Sequence, residues 1–128
     1  MSGSVFATTL PDTYAAPRQA RHWVEAVMAE ADWNGPLDQL KLLVSELVSN
    51  AIRYSGDDVG LTVYVHECGV WVSVADDGAG RVKLRHAAPD EVSGRGLAIV
   101  DAVSGTWGVI TERAGKSVWF ELPDHPRA

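Results

Sequence analysis

Glu46, Asn50 and Arg53 stand at spacings of four and three inside a stretch otherwise rich in leucine and valine, Leu37 to Ser55. On a helix these spacings make neighbours on one surface. A carboxylate, an amide and a guanidinium side by side suit a metal-bound polyphosphate; the plain alternative is a solvated helix face. Asn favours local backbone hydrogen bonds over helix, so one in mid-helix calls for an external reason. Two glycine clusters follow. Asp76-Asp77-Gly78-Ala79-Gly80 places a carboxylate just before two residues without a Cβ, where backbone can approach a flat ligand. The plain alternative there is a tight turn. Gly94-Arg95-Gly96 opens the apolar run Leu97 to Val103, and a helix beginning there leaves unpaired N–H groups and a positive dipole end, an anion site. It is no Walker loop, since no Gly-Lys-Ser/Thr follows at the required spacing, and no dinucleotide fingerprint, which needs a third glycine after a strand.

The elements that must position these residues can be read from periodicity. Val5 to Leu10 reads as a strand stopped by Pro11 and Asp12. Pro17 suits the first turn of a helix that Asp12 or Thr13 would cap, with Ala20, Trp23, Val24, Val27, Met28 and Ala31 on its apolar side as far as Asn34-Gly35-Pro36. Arg18, Arg21 and Glu25 fall on its solvated side, and His22 reads as a surface or satisfied histidine, since nothing nearby completes a metal site. A second helix runs from about Pro36 to Tyr54, its core stripe formed by Leu40, Leu43, Val44, Leu47, Val48 and Ala51. Leu61 to His66 and Val70 to Ala75 alternate as strands joined by the turn Glu67-Cys68-Gly69. Arg81 to Ser93 lacks periodicity and has the length of a lid. Trp107 to Arg113 and Ser117 to Leu122 form a last hairpin around Ala114-Gly115-Lys116.

Composition narrows the function classes. The 128 residues suit one domain, 1–128, with a real core. Eleven basic against seventeen acidic residues, net −6, and no basic run longer than a pair argue against nucleic-acid or acidic-membrane surfaces. The single Cys68 excludes an intrachain disulfide and a Cys-rich metal site, and its turn offers nothing to activate a thiol. No apolar run reaches the length of a membrane span and no signal pattern opens the chain, so a soluble, cytoplasmic protein is expected.

Singly these motifs are weak; their order is specific. A helix with Glu-x-x-x-Asn, a strand ending in Asp-x-Gly-x-Gly, a variable loop, Gly-x-Gly opening a helix, and a hairpin together resemble the Bergerat-fold (GHKL) ATPases. Within them the chain is similar to the anti-sigma factor serine/threonine kinases, over nearly its whole length to Ser117-Val-Trp-Phe-Glu121. The resemblance implies an α+β fold, a two-layer sandwich with a mixed, mostly antiparallel sheet and helices on one face. It implies ATP and Mg²⁺ as cofactors. Glu46 would polarise the attacking hydroxyl, Asn50 would hold Mg²⁺, and Arg53 would lie near the phosphates. Asp76 would bond the adenine amino group, Gly78 and Gly80 would lie around the base, Gly94 and Gly96 would form the phosphate box, and Ser117 would help hold adenine through water. Tyr54 stands where relatives commonly carry His at the end of the Glu-x-x-x-Asn box, so the resemblance carries no phosphate-side role over to that position. Ser117 replaces a Thr and keeps the hydroxyl; Asp77 is expected to face solvent by strand alternation.

The resemblance implies a kinase acting on an anti-sigma-factor antagonist and sequestering a sigma factor in a partner switch. A module that binds ATP or ADP only as a conformational ligand is the alternative, and Glu46 speaks for the kinase. A detached histidine-kinase catalytic domain fits less well, since no phosphoacceptor helix pair precedes the motifs. The partners implied are sigma factor and antagonist proteins, with no direct nucleic acid and no membrane. Related kinases form dimers, which leaves a homodimer open.

Overall fold

Hydrophobic residues with period two and period 3.6 sort themselves here into one sheet and two helices facing it. The computed structural model describes residues 3–55, 58–76, 106–112 and 115–123. Chain order is β1 (Gly3–Leu10), α1 (Ala16–Glu30), α2 (Leu37–Ser55), β2 (Val59–His66), β3 (Gly69–Asp76), β4 (Thr106–Glu112) and β5 (Gly115–Pro123). The strands lie in the order β1-β2-β3-β5-β4, and each of the four ladders is antiparallel. The two-layer sandwich expected from the motif order is what forms. Bounds move by one to two residues: β1 starts at Gly3, β2 at Val59, and β5 reaches from Gly115 to Pro123.

Helix α1 begins and ends differently from the expectation. Pro17 does sit in the first turn, where its missing N–H costs nothing. The N-cap is Ala15, however, with no side-chain cap; the Thr13 carbonyl, not its hydroxyl, accepts the Ala16 N–H at 3.1 Å. The helix stops at Glu30, before the Asn-Gly-Pro signal, because Asp32 turns left-handed at φ 58°. Trp33 N–H then reaches the Met28 carbonyl at 3.0 Å and Asp32 N–H reaches Ala29 at 3.2 Å. That is a Schellman closure with Asp in the position glycine usually takes.

Both helices cover one face of the sheet, α2 against β3 and β2, and α1 beside it against β1. Val59, Leu61 and Val63 of β2, Val70, Val72 and Val74 of β3, and Phe120 and Leu122 of β5 are buried beneath them. From the helices come Ala20, Val24, Val27 and Met28, then Leu40, Leu43, Val44, Leu47 and Val48, all buried as their spacing requires. Phe120, fully buried, pairs with Val72 near the middle of the sheet. An ion pair between Glu25 and Lys41, 3.2 Å, joins the outer sides of the two helices.

On the other face, Tyr64 stands opposite both Val5 and Trp71, and Trp119 opposite Ser73. Their rings lie against glycines of the outermost strands. A Cβ on Gly3 would come within 2.6 Å of the Tyr64 hydroxyl oxygen, and one on Gly108 within 2.7 Å of Trp119 Nε1. Aromatic cover of an edge glycine restores the packing that the missing side chain forfeits.

Candidate functional site

The core stripe of α2 fixes what its remaining sides can do. With Leu43, Val44, Leu47 and Val48 locked onto the sheet, Glu46, Ser49 and Asn50 are left half-buried along one flank and Arg53 exposed one turn further on. The structure therefore brings Glu46, Asn50 and Arg53 onto one surface, as their spacing requires.

Asp76 closes β3, in register with Val59 on one side and Lys116 on the other. Ser117 pairs with Ala75, the residue before it. The positions expected on the adenine side thus meet at one corner of the sheet. That corner lies near the C-terminal end of α2, because Ser55 and Val59 are only four residues apart and so within about 14 Å. Gly78, Gly80, the expected lid Arg81–Ser93, and Gly94 and Gly96 with the helix they were expected to open lie outside the described residues.

A cleft of about 610 Å³ borders the same flank of α2. Ser49, Ile52 and Arg53 form one wall, and Asp12, Thr13, Tyr14 and Pro17 of the β1–α1 turn form the other. Arg53 is common to the cleft and to the Glu46–Asn50 surface. The second wall went unread in the sequence, where Asp12 and Thr13 looked like capping residues. Tyr14, fully exposed at the tip of the turn, had no signal beyond its place between a strand stop and Pro17.

Among the described residues no three His, Cys, Asp or Glu side chains gather as a metal site. No described helix is long and apolar enough to cross a membrane.

A two-layer sandwich with a Glu-x-x-x-Asn helix over the sheet and an Asp-terminated strand at its corner defines a nucleotide-binding class. Residues 35–126, well over half of the chain, match the family described as histidine kinase-, DNA gyrase B- and HSP90-like ATPase. The protein belongs to that family and is an ATP-binding module of the GHKL type. No curated protein sequence matches the chain.

Proposed function

We propose that the protein is an ATP-dependent serine/threonine protein kinase of the anti-sigma-factor type, which phosphorylates an anti-sigma-factor antagonist and sequesters a sigma factor. The observation that carries this reading is the pairing of Glu46 with Asn50, one turn apart on a half-buried flank of α2 that adjoins an open cleft. A module that senses nucleotide passively has less need of the carboxylate than a kinase, which needs a base beside the entering hydroxyl.

Transfer would proceed as an in-line displacement. The substrate hydroxyl oxygen bonds to the γ-phosphorus, the bond from that phosphorus to the β–γ bridging oxygen breaks, and ADP leaves with those electrons. Glu46 takes the hydroxyl proton. Arg53 would offset charge on the phosphates, and Asp76 with Ser117 would hold the base. Mg²⁺ suits the donor set: it keeps several waters and is held largely by substrate phosphates, and the Asn50 amide oxygen would add a protein ligand of the kind an Asn supplies in protein kinases. When bound, the cation neutralises charge that develops on the phosphates.

Incubation with γ-labelled Mg-ATP and antagonist proteins tests the proposal. Label on Ser or Thr of an antagonist is expected. Tight Mg-ATP binding with no transfer to an antagonist that the protein demonstrably binds would make it a passive module, and label on His would make it a histidine-kinase catalytic domain.

A further inference from the structure

The helices cover one face of the sheet, and no described element covers the other. On that bare face Val5, Tyr64, Trp71 and Glu121 form one row across four strands, each directly opposite the next. Two of the large rings on this face have a packing task already, Tyr64 against Gly3 and Trp119 against Gly108. Trp71 covers neither glycine. It stands half-buried in mid-sheet, one strand from Tyr64 and two from Val5, which is 66% exposed. The row ends in an acid. Glu121 keeps its side chain 47% exposed, although His66 Nε2 stands 3.7 Å from its Oε2. None of the outward positions of β1, β2, β3 and β5 is Lys or Arg, so these strands bring neither to Trp71 or Glu121.

We infer that this bare face docks a protein segment carrying an arginine, whose guanidinium stacks on Trp71 and donates to the Glu121 carboxylate while an aliphatic side chain of the same segment lies over Val5 and Tyr64. An indole face attracts a cation, and a carboxylate beside it supplies the counter-charge. Arginine suits the pair better than lysine, because a planar guanidinium can stack on a ring and still aim N–H groups sideways at a carboxylate. The net charge of −6 draws a basic partner toward the protein. Val5 and Trp71 lie two strand spacings apart, about 10 Å, which three residues of extended chain span. The docking face is the side of the sheet away from α2, so it stands apart from the Glu46–Asn50 surface and does not rest on the kinase assignment.

The peptide acetyl-Leu-Ser-Ser-Arg-amide, titrated into the isotope-labelled full chain without nucleotide, is the test. Saturation in the millimolar range is expected, with resonance shifts at Tyr64, Glu121 and the Trp71 indole N–H while those of Glu46 and Asn50 stay in place. Citrulline in place of the arginine keeps the shape and loses the charge, and should weaken binding by about two- to fivefold or more. Glu121→Gln and Trp71→Thr should each weaken the arginine peptide to a similar degree. Circular dichroism melts check that both variants fold, and Trp71→Leu replaces Trp71→Thr if that one does not. Several results would overturn the assignment: no binding at millimolar peptide, equal affinity for the citrulline peptide, or shifts confined to acidic surface elsewhere. Full affinity in either variant would do the same.

Discussion

Ser117 stands opposite Ala75 in the β3–β5 ladder, one register step from Asp76. Two residues distant in the chain are thereby fixed at one corner of the sheet by backbone hydrogen bonds, independently of any ligand. If this corner holds the adenine, Asp76→Ala should leave the fold intact and weaken ATP and ADP equally. The expected loss is about 1–3 kcal/mol, the cost of a polar partner left unpaired. Calorimetric titration with both nucleotides checks it; unchanged affinity would remove Asp76 from the site.

Glu46 separates chemistry from binding. Glu46→Gln keeps the shape of the side chain and removes its basic oxygen, so phosphate transfer to an antagonist should fall roughly 10²- to 10⁴-fold. Nucleotide affinity should change far less, because Asn50 rather than Glu46 is assigned to the metal. Single-turnover transfer beside nucleotide titration reads both effects, and equal losses in the two would mean Glu46 only holds the ligand.

Gly96→Val probes the expected phosphate box. A side chain at a helix start that phosphates approach would block them, so triphosphate binding should be lost with the circular dichroism spectrum retained. Normal ATP binding by the variant would reduce Gly96 to a packing residue.

Gly69 tests the sheet and not the site. Its φ of 157° and the room around it admit no Cβ: one would strike the Leu122 carbonyl oxygen and stand 2.9 Å from Pro123 Cα. Both are backbone atoms of β5, which cannot swing away as a side chain can. Gly69→Ala should cost about 1–3 kcal/mol, read as a lower urea midpoint with an unchanged slope. A midpoint equal to wild type would show that the hairpin end yields freely.

How much of this was legible beforehand depends on the range of the physics involved. The stripe from Leu40 to Val48 and the flank of Glu46, Asn50 and Arg53 follow from one helix's own period, and both stand as read. The alternation of Leu61–His66 and Val70–Ala75 likewise told which residues face the helices. What it could not tell is why Tyr64 and Trp119 lie where they do, since each covers a glycine on a neighbouring strand, Gly3 and Gly108. The stop of α1 at Asp32 was hidden because Asp in place of Gly leaves no signal. The cleft wall of Asp12, Thr13, Tyr14 and Pro17 was hidden for another reason: it is made by bringing the β1–α1 turn against α2, a tertiary event with no local period.

The strand order β1-β2-β3-β5-β4 has a consequence for biosynthesis. Among the described residues, the helices that cover the inner face of β3 precede Asp76 in the chain, so both helices and three strands can collapse early. The strand that must then dock along β3 ends only at Pro123, 47 residues later (123 − 76). At a synthesis rate of about 5–20 residues per second, the nascent chain spends roughly 2–9 s with a valine-rich edge that lacks its β5 partner. During those seconds the open edge of β3 can pair with another extended chain. A chaperone that recognises extended apolar strands would find Val70 to Val74 before β5 does, and slowing translation of the residues between them would lengthen that exposure.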